Sequence, residues 1–557
     1  MMDKKTILVV AICILALFLS QAVINKMYPP HAKAVHPPAA AGSNAVPQPA
    51  TAATPAQPAI EPAKETKPAP SAPAAPRPPE QIVSLSNDFI RVDFTSWGGG
   101  VRTVELLRHK GPSNDVEVLN GTNLVPALSL VGVPGAGSND AFSIQAVDAR
   151  TVQMRSDNGV VKTVTLSNDY LMAGSVQLPA ALAPSGTVGV VIGTAQPTQP
   201  HEIPNYLVVD WENASKFNNR TLPYITKRLI DGKRQETISA GWIAVKSQYF
   251  TMVLSPVTNV VGFTCAPVDL PTPPPPPTNH GLTATATIPF TRAGDGSLSC
   301  AFSFYAGPKD YNRLAALGKH QEELMDLGTP MDFYSGLFGV ILLHSLNYFH
   351  GLIPNYGVAI ILVTIALKVI FWPIQAKSIQ SMKAMQKFQP LMNKLREKYK
   401  DDPQKLNTEM MKLYKEHKIN PFSGCLPVLI QLPVLIAFYR VLLYASALRG
   451  APFLWIHDLS QPDTIFTIAG LQINPLPLAM TAGTFFQQKM TPTGGDPQQQ
   501  KMMMFMPVMM LFFFYKLAAG LTLYYTLQQL LSLLQQWRSM RQRDDAAAVA
   551  VPAGKGK

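Results

Sequence analysis

Apolar and polar side chains alternate with a period of two from residue 81 to about residue 307. Ile90, Val92 and Phe94 are apolar, and the residues between them are charged, which is typical of a strand with one face in a core and the other in water. Similar runs lie at 101–107, 160–166, 187–193, 206–211, 242–254 and 298–305. Many short strands separated by turn residues predict one large antiparallel β-sandwich over residues 81–328.

After residue 353 the pattern changes to long apolar runs. Five of them lie at 356–373, 423–446, 464–486, 502–515 and 518–537. Apolar runs of about 20 residues predict bilayer-spanning helices, and an N-terminal run at 1–25 adds a sixth. The fold class we predict is a polytopic α-helical membrane protein with six transmembrane helices. The last five form a core over 354–540, and the sandwich is a large periplasmic domain.

The N-terminal region predicts an anchor followed by a tether. Residues 1–25 carry two lysines before an apolar run and resemble a signal peptide, but they lack a convincing small-x-small cleavage site. This favours an uncleaved signal anchor with a cytoplasmic amino terminus. Residues 26–80 are dominated by Pro and Ala and predict an extended tether that cannot bury a core. With six crossings the tail 541–557 is cytoplasmic as well.

Two amphipathic segments accompany the apolar runs. Residues 329–353 are apolar but interrupted by His344, Asn347 and His350, and they predict a helix lying in the membrane interface. Residues 375–421 have helical periodicity on both sides of an Asp-Asp-Pro sequence at 401–403. They predict an antiparallel helical hairpin in the cytoplasm, which can rest on anionic lipid and dock a partner.

The charged residues are divided unevenly along the chain. Residues 26–332 hold 23 Lys and Arg against 24 Asp and Glu, whereas the remainder holds 24 against 11. The loop 374–421 alone holds 11 against 5, which places it in the cytoplasm by the positive-inside rule. The net charge of +12 therefore reflects membrane topology, and we predict no nucleic-acid recognition.

Lys368 is a basic residue in the middle of the apolar run 358–373. A lysine at the centre of a bilayer costs about 2.5–3.5 kcal/mol, and Lys368 lies roughly 13 Å along the helix from the basic stretch that begins at Lys377. Thr364 lies one turn away on the same face. We expect these residues to line a wet cavity inside the membrane that opens toward the cytoplasm.

Gln431 and Tyr525 are two further polar residues that we assign to this cavity. With Lys368 they can furnish a hydrated groove. The predicted spans contain no Asp or Glu at depth, whereas a proton-coupled transporter normally uses an intramembrane carboxylate or histidine relay.

The run 502–515 is short and rich in methionine. Its fourteen residues extend about 21 Å as a helix, less than the roughly 30 Å of a bilayer core. Six methionines precede three phenylalanines at 512–514. Such a face suits ordinary packing against lipid, and it equally suits a surface that contacts many different apolar segments.

The sequence shows no catalytic or metal-binding pattern. It contains no GxSxG, HExxH or Walker motif, and the four cysteines fit no metal spacing. We therefore predict no enzyme activity, metal or cofactor. Cys265 and Cys300 share the predicted periplasmic sandwich, where a disulfide between them is possible.

Several longer motifs carry a resemblance to a known family. The core contains INPFSGCLPVLIQLPV (419–434), APFLWIHDLS (451–460), QQKMTP (487–492), DPQQQKMMMFMPV (496–508) and GLTLYY (520–525). The sandwich contains GWIAVKSQYF (241–250) and FYAGPKDY (304–311). On these motifs the chain closely resembles the YidC-type membrane protein insertases, in the Gram-negative form with a large periplasmic domain.

The resemblance implies a five-helix insertase core in the bacterial inner membrane, with a groove that is open to the cytoplasm and lipid and closed toward the periplasm. It also implies insertion of nascent membrane proteins without nucleotide hydrolysis, work beside the Sec translocon, a chaperone role and docking of ribosomes. The family's cation in the first core helix is usually Arg and is Lys368 here. Lysine keeps the positive charge but lacks the planar guanidinium group that can bind a partner through two hydrogen bonds.

In the implied mechanism the apolar segment of a client slides along the 423–446 and 502–515 helices, with Met503, Phe505, Met506 and Met510 as the contact residues. The polar flank of the client rests near Lys368. Burial of about 20 apolar client residues supplies the driving force.

Two other classes of function stay open at this point. A secondary transporter with a periplasmic sensing domain would be favoured by an intramembrane carboxylate or by inverted repeats, and we find neither in the sequence. A cell-envelope scaffold would use the sandwich to bind a sugar or a partner protein.

Overall fold

The computed structural model describes residues 79–549 except 112–114, 122–124, 199–201, 203, 214–215, 222–234, 271–279, 295, 328–332, 401, 417–425, 469–470 and 491–496. The predicted signal anchor, the tether up to residue 78 and the tail from residue 550 lie outside the described residues. The β-rich part and the helical part belong to one compact unit, Arg77–Tyr414 with Pro421–Lys557.

The β-rich part contains nineteen described strands before residue 309. They are β1 (Ile82–Ser86), β2 (Ile90–Thr95), β3 (Gly100–Lys110), β4 (Val116–Leu119), β5 (Leu130–Val131), β6 (Ser143–Ala146), β7 (Thr151–Arg155), β8 (Val161–Leu166), β9 (Leu171–Pro179), β10 (Thr187–Ala195), β11 (Val208–Asn213), β12 (Lys216–Thr221), β13 (Gln235–Ala240), β14 (Ile243–Lys246), β15 (Phe250–Pro256), β16 (Val260–Asp269), β17 (His280–Pro289), β18 (Thr291–Arg292) and β19 (Ser297–Pro308).

These strands form three antiparallel sheets. The large sheet has the order β12-β11-β14-β15-β19-β9-β8-β7-β6, with β18 beside β19. A second sheet has the order β13-β16-β17-β10-β5, and β1 to β4 form a meander. Trp211 of the large sheet packs on Phe263 of the second, with ring centroids 4.9 Å apart. The predicted antiparallel sandwich is confirmed at this level.

A buried lysine joins the meander to the large sheet. Lys162 on β8 donates to the backbone oxygens of Gly98 and Gly99 at 2.8 Å and of Leu128 at 3.0 Å. Its ammonium also lies 4.8 Å from the centre of the Phe142 ring. Because three carbonyl oxygens replace water around the charge, the lysine can be buried in the sandwich core.

The helical part begins within the linker that follows the sandwich. The helices are α1 (Tyr311–Ala316), α2 (Phe333–Leu352), α3 (Tyr356–Lys387), α4 (Gln389–Lys398), α5 (Pro403–Glu416), α6 (Leu426–Tyr444), α7 (Pro475–Met490), α8 (Pro497–Phe514) and α9 (Ala519–Val549). Two short strands, β20 (Phe466–Ile468) and β21 (Leu471–Ile473), pair between α6 and α7.

One helical segment among the described residues, Tyr356–Gln380, is both long and apolar enough to cross a bilayer. Two shorter apolar segments, Gln431–Tyr444 and Phe505–Phe514, lie in α6 and α8. The expected count of six crossings therefore stays a prediction. α3 continues through Pro373 to Lys387, so the first core helix passes directly into the basic segment.

The helix predicted at 464–486 begins later than the apolar run does. Residues 466–468 pair with residues 471–473 as the β20–β21 hairpin, and α7 starts at Pro475. Proline suits the first helical position because its fixed φ is helical and its missing N–H needs no partner there. The carboxylate of Asp463 accepts a 2.6 Å hydrogen bond from the Leu476 N–H and so satisfies a free donor of the first turn. The apolar run therefore divides into a hairpin and a shorter helix.

Candidate functional site

Lys368 lies on α3 with its ammonium group turned toward α9. Its side chain is 3% exposed, and its Nζ donates to Gln375 Oε1 at 2.5 Å and to Ser532 Oγ at 2.8 Å. Both partners are neutral. Thr364 is buried one turn away, but its hydroxyl donates to the backbone oxygen of Ile360 at 2.6 Å. The cation is thus held by polar side chains, and Thr364 is directed to its own helix.

A polar strip on α9 connects α3 with α6. Tyr524, Gln528 and Ser532 recur every four residues and therefore lie on one face of the helix. The amide of Gln431 on α6 donates to the Tyr524 hydroxyl, and its Oε1 accepts from Gln528 at 3.3 Å. Ser532, which contacts Lys368, donates to the backbone oxygen of Gln528 at 2.8 Å. One polar strip therefore links the cation to Gln431.

The predicted site residues are brought together only in part. Lys368 and Gln431 meet through α9, but the ring of Tyr525 packs on Phe514 with centroids 5.0 Å apart. The neighbouring Tyr524 takes the place that we expected for Tyr525. Sequence reasoning did not assign Tyr524, Gln528 or Ser532 to the cavity, although their four-residue spacing is visible in the printed sequence.

The outward face of α8 is an apolar surface. Phe505 and Met506 are exposed and Met510 is half-buried, while the side chain of Met503 lies outside the described residues. Phe512, the first of the three phenylalanines at 512–514, is 87% exposed. This surface is available to any apolar partner that lies beside the helix.

The hairpin beyond α3 presents charged residues to solvent. α4 and α5 contact each other through the Tyr414 hydroxyl and the Met392 sulfur, which are 3.6 Å apart. Lys412 pairs with Glu409 at 2.7 Å on the exposed side of α5. The hairpin therefore presents charged side chains of α5 to solvent, where a partner or lipid headgroups can reach them.

An ion pair joins the sandwich to the loop after α6. Arg449 Nη2 lies 2.8 Å from Glu117 Oε2 and donates to the backbone oxygen of Thr198 at 2.5 Å. Both charged side chains are buried. Nearby, Gln248 Nε2 donates to the backbone oxygen of Leu443 at 2.9 Å. The sandwich is therefore seated on the end of α6 opposite the basic hairpin. We call these contacts the seam.

Burial at the seam shifts the pKa values of Glu117 and Lys309. Burial raises the pKa of Glu117 to about 7, because the loss of hydration outweighs the attraction of Arg449. Burial likewise lowers the pKa of Lys309 to about 8. The Lys309 ammonium lies 4.6 Å from the centre of the Tyr444 ring, at the last residue of α6.

A second charge cluster holds the linker that leads out of the sandwich. Lys246 on β14 lies 2.6 Å from Asp210 and 2.7 Å from Asp326, and Lys309 lies 3.7 Å from Asp326. The two carboxylates outweigh burial and raise the pKa of Lys246. Asp326 has a left-handed backbone, with φ 54°, and ends a short turn before the chain continues to α2. The cluster therefore fixes the exit of the linker.

The possible disulfide is not formed. Cys265 lies on β16 and Cys300 on β19, which belong to different sheets, and no bond joins their sulfurs. Among the described residues, no group of three or more His, Cys, Asp or Glu side chains could hold a metal ion.

Two family models match the two parts of the chain. The family described as 60Kd inner membrane protein matches residues 348–546, and the family described as YidC periplasmic domain matches residues 82–339. Together these matches include the sandwich, the polar strip and the apolar surface of α8.

Individual relatives are similar over different lengths. A protein named membrane protein insertase YidC from Pelobacter propionicus is 42% identical over 260 residues, which are 46% of this chain and 47% of that protein. One of the same name from Anaeromyxobacter sp. is 32% identical over 519 residues, 86% of this chain and 87% of that protein. The match thus spans about half of the first relative and most of the second.

A solved structure is similar as well. The crystal structure of an active YidC insertase with its first transmembrane domain resolved is 18% identical, with a TM-score of 0.35 over 81% of this chain and 91% of that chain.

Proposed function

Because the chain belongs to the YidC family of membrane protein insertases, we propose that it inserts nascent membrane proteins through a hydrated groove between α3, α6 and α9. Membership of this family places the chain in the bacterial inner membrane, with a periplasmic domain. The observation that carries this proposal is the buried Lys368 ammonium, held by the neutral side chains of Gln375 and Ser532. A cation with neutral partners can attract an acidic or polar client flank without first breaking an ion pair.

The proposed path has a polar side and an apolar side. The polar flank of a client lies along the strip from Lys368 to Gln431, where side-chain amides and hydroxyls offer hydrogen bonds in place of water. The apolar segment lies against the exposed face of α8, including Phe505 and Met506. Each part of the client then meets a surface of its own polarity, which lowers the cost of moving the polar part across the bilayer.

The energy for insertion comes from the client. Moving about 20 apolar residues from water into lipid is favourable by roughly 25 cal/mol for each Å² of buried apolar surface. This is why we propose insertion without nucleotide hydrolysis and without a cofactor. We include in the proposal six crossings with both termini in the cytoplasm, cooperation with the Sec translocon, ribosome docking on the α4–α5 hairpin and assistance to client folding.

Insertion into defined vesicles tests the proposal. The purified full-length chain is reconstituted into liposomes, and a small client with one or two apolar segments is added without nucleotide. We expect a membrane-protected client fragment well above that found in protein-free liposomes, and no change when ATP is added. Protection equal to the protein-free liposomes, or protection that requires ATP, would contradict the proposal.

A client variant provides the matched control. Two aspartates placed in the centre of its apolar segment each cost about 2.5–3.5 kcal/mol in the bilayer. This client should remain unprotected with the same vesicles. Equal protection of both clients would mean that the assay reports adsorption and not insertion.

A further inference from the structure

The β20–β21 hairpin is apolar, and its described side chains are largely exposed in the fold. Phe466 is 51% exposed and Ile468 is 60% exposed. These two residues share one face of the strand because they are two positions apart, and Ile465 and Thr467 on the other face are exposed as well. An isolated two-stranded hairpin is at best marginally stable in water, so exposure on both faces calls for an external partner.

The sequence around the hairpin carries no charge. Residues 464–486 contain no Lys, Arg, His, Asp or Glu. A surface that docks a soluble protein usually has a polar rim, whereas a surface that contacts lipid needs none. The composition therefore favours lipid as the occupant.

The length of α7 locates the hairpin relative to the bilayer. The apolar part of α7 runs from Pro475 to Phe486, before Gln487 and Lys489. Its twelve residues extend only about 18 Å, whereas the hydrocarbon core is about 30 Å thick. With the polar end of α7 at the cytoplasmic boundary, the hairpin reaches the periplasmic leaflet without leaving the membrane.

The hairpin is fixed to the start of α7 and to the end of α8. Thr464 Oγ1 donates to Asn474 Oδ1 at 2.7 Å, and the Asn474 amide donates to the backbone oxygen of Tyr515 at 2.7 Å. The Tyr515 hydroxyl in turn donates to the backbone oxygen of Gln472. The apolar side chains are therefore held at a defined height above α7 and α8.

A neighbouring turn adds apolar surface on the same loop. Leu454 is exposed and has φ 52°, in the left-handed region that leucine rarely adopts. The turn is closed by paired 2.8 Å hydrogen bonds between Phe453 and Ile456. Trp455 beside it is 41% exposed. Tryptophan is enriched at the membrane interface, where its ring lies at the level of the headgroups.

We propose that the β20–β21 hairpin and the Leu454–Trp455 turn form a lipid-binding element that lies in the headgroup layer of the periplasmic leaflet. The backbone limits the depth of this element. The outer edges of a two-stranded hairpin carry unpaired N–H and C=O groups, and each would cost several kcal/mol in hydrocarbon. The headgroup layer supplies water to those edges, while Phe466 and Ile468 reach the upper acyl chains.

Depth-dependent quenching in vesicles tests this proposal. Cys13, Cys265, Cys300 and Cys425 are replaced by alanine, and a single cysteine at Phe466→Cys or Ile468→Cys is labelled with an environment-sensitive dye. The full chain is reconstituted without client into phosphatidylcholine and phosphatidylglycerol vesicles. The dye is then quenched by lipids that carry a doxyl group at acyl carbon 5 or 12, and separately by aqueous iodide.

Val257→Cys is the matched control, because Val257 is an apolar residue that is 79% exposed on the sandwich. It follows β15, which starts at the seam and extends away from it by about 23 Å. It lies on the same side of the membrane as the hairpin, so both labels have the same accessibility in vesicles of mixed orientation.

We expect the hairpin labels to be quenched at least about twofold more by the carbon-5 probe than by the carbon-12 probe, as for an element at the boundary between headgroups and acyl chains. Their iodide quenching should fall severalfold below that of Val257→Cys. Iodide quenching equal to the control would overturn the proposal, since the hairpin would then be in water. Stronger quenching by the carbon-12 probe would overturn it too, since the hairpin would then be in hydrocarbon.

A third labelled position keeps the test valid if the Phe466→Cys or Ile468→Cys variant misfolds. Thr467→Cys replaces an exposed polar residue and leaves the apolar side chains of the hairpin in place. The same order of quenching is expected there, and iodide quenching equal to that of Val257→Cys at this position would refute the proposal by itself.

Discussion

At the scale of single residues, Lys368 shows what the sequence could and could not predict. The buried cation was predictable, because one lysine in an apolar run has a high cost that calls for local polar groups. Gln375 and Ser532 were not identified as its partners, and Ser532 lies 164 positions away in the chain. Sequence reasoning also chose Tyr525, whereas Tyr524 faces Gln431. The two tyrosines are adjacent in the chain and therefore lie on different faces of α9. The spacing of the apolar residues alone does not determine which of these faces is turned toward α6.

Water in the groove can be tested at Gln431. If the polar strip is hydrated, a cysteine at Gln431→Cys should react with a membrane-impermeant maleimide several times faster than one at Leu435→Cys. Leu435 is a suitable control because it lies one turn away on α6 and is also half-buried. Equal reaction rates at the two positions would show that the strip is dry.

Glu117 predicts a pH dependence of stability. Its pKa is about 4.5 when exposed and about 7 in the fold. Between these values the folded chain holds a proton that the unfolded chain has lost, so this group stabilises the fold at low pH and the contribution is lost as pH rises through 7. The full effect is up to about 3 kcal/mol.

Thermal unfolding of the detergent-solubilised chain between pH 5 and 8 measures this contribution. The melting temperature of the unmodified chain should fall across this range more than that of Glu117→Gln, whose neutral amide cannot titrate. Glu105→Gln, at an exposed ion pair with Arg91, should leave the slope unchanged. The same slope in all three proteins would rule out Glu117 as the titrating group.

At the scale of elements, regular patterns were easier to interpret than mixed ones. The interfacial segment predicted at 329–353 contains the helix Phe333–Leu352, and the period-two region forms the strands β1 to β19. The run at 464–486 was harder, because an uncharged apolar stretch fits a helix or a hairpin equally well. The Asn-Pro sequence at 474–475 was the available signal for a helix start.

The outward face of α8 should contact clients if it guides their apolar segments. A photo-crosslinking amino acid at Phe505 or Phe512, both exposed, should give several times more client adduct than one at Phe514, which is 3% exposed. All three positions lie on the same helix, so differences in expression affect them alike. Equal adduct at Phe514 would argue that crosslinking is non-specific and that the face has no guiding role.

At the scale of the whole molecule, the seam joins two parts that the sequence presents as separate. From the sequence the sandwich at 81–328 and the core at 354–540 were predicted as separate domains. The Arg449–Glu117 pair could not be foreseen, because its members are 332 positions apart and a surface arginine after an apolar span is ordinarily interfacial. The pair matters for single substitutions, since replacing one member by an apolar residue leaves the other buried and unpaired at a cost of about 3–5 kcal/mol.

Deletion of the sandwich should preserve much of the insertion activity, provided that the boundary respects the sheet. A deletion of residues 81–295 removes β9 and β15, the partners of β19, and leaves that strand with two open edges that favour aggregation. A deletion of residues 81–307 removes almost all of β19 as well and should support growth in a depletion strain. Deletion of 382–415, which removes the end of α3 and nearly all of the α4–α5 hairpin, should be far more damaging, and growth of the hairpin deletion alone would reverse this assignment.

The central claim is that the charge of Lys368 receives the polar flank of a client. It is tested most directly by client insertion into liposomes that contain the unmodified chain, Lys368→Arg or Lys368→Glu. The clients are a matched pair whose translocated flanks differ only in being acidic or neutral. Arg keeps the charge, so Lys368→Arg should insert both clients as well as the unmodified chain does.

Lys368→Glu should repel the acidic flank. We predict that it loses insertion of the acidic-flank client by tenfold or more, which corresponds to about 1.4 kcal/mol or more, while it retains most of the insertion of the neutral-flank client. Equal insertion of the acidic-flank client by the Lys and Glu proteins would contradict the account, because the groove would then act without its cation.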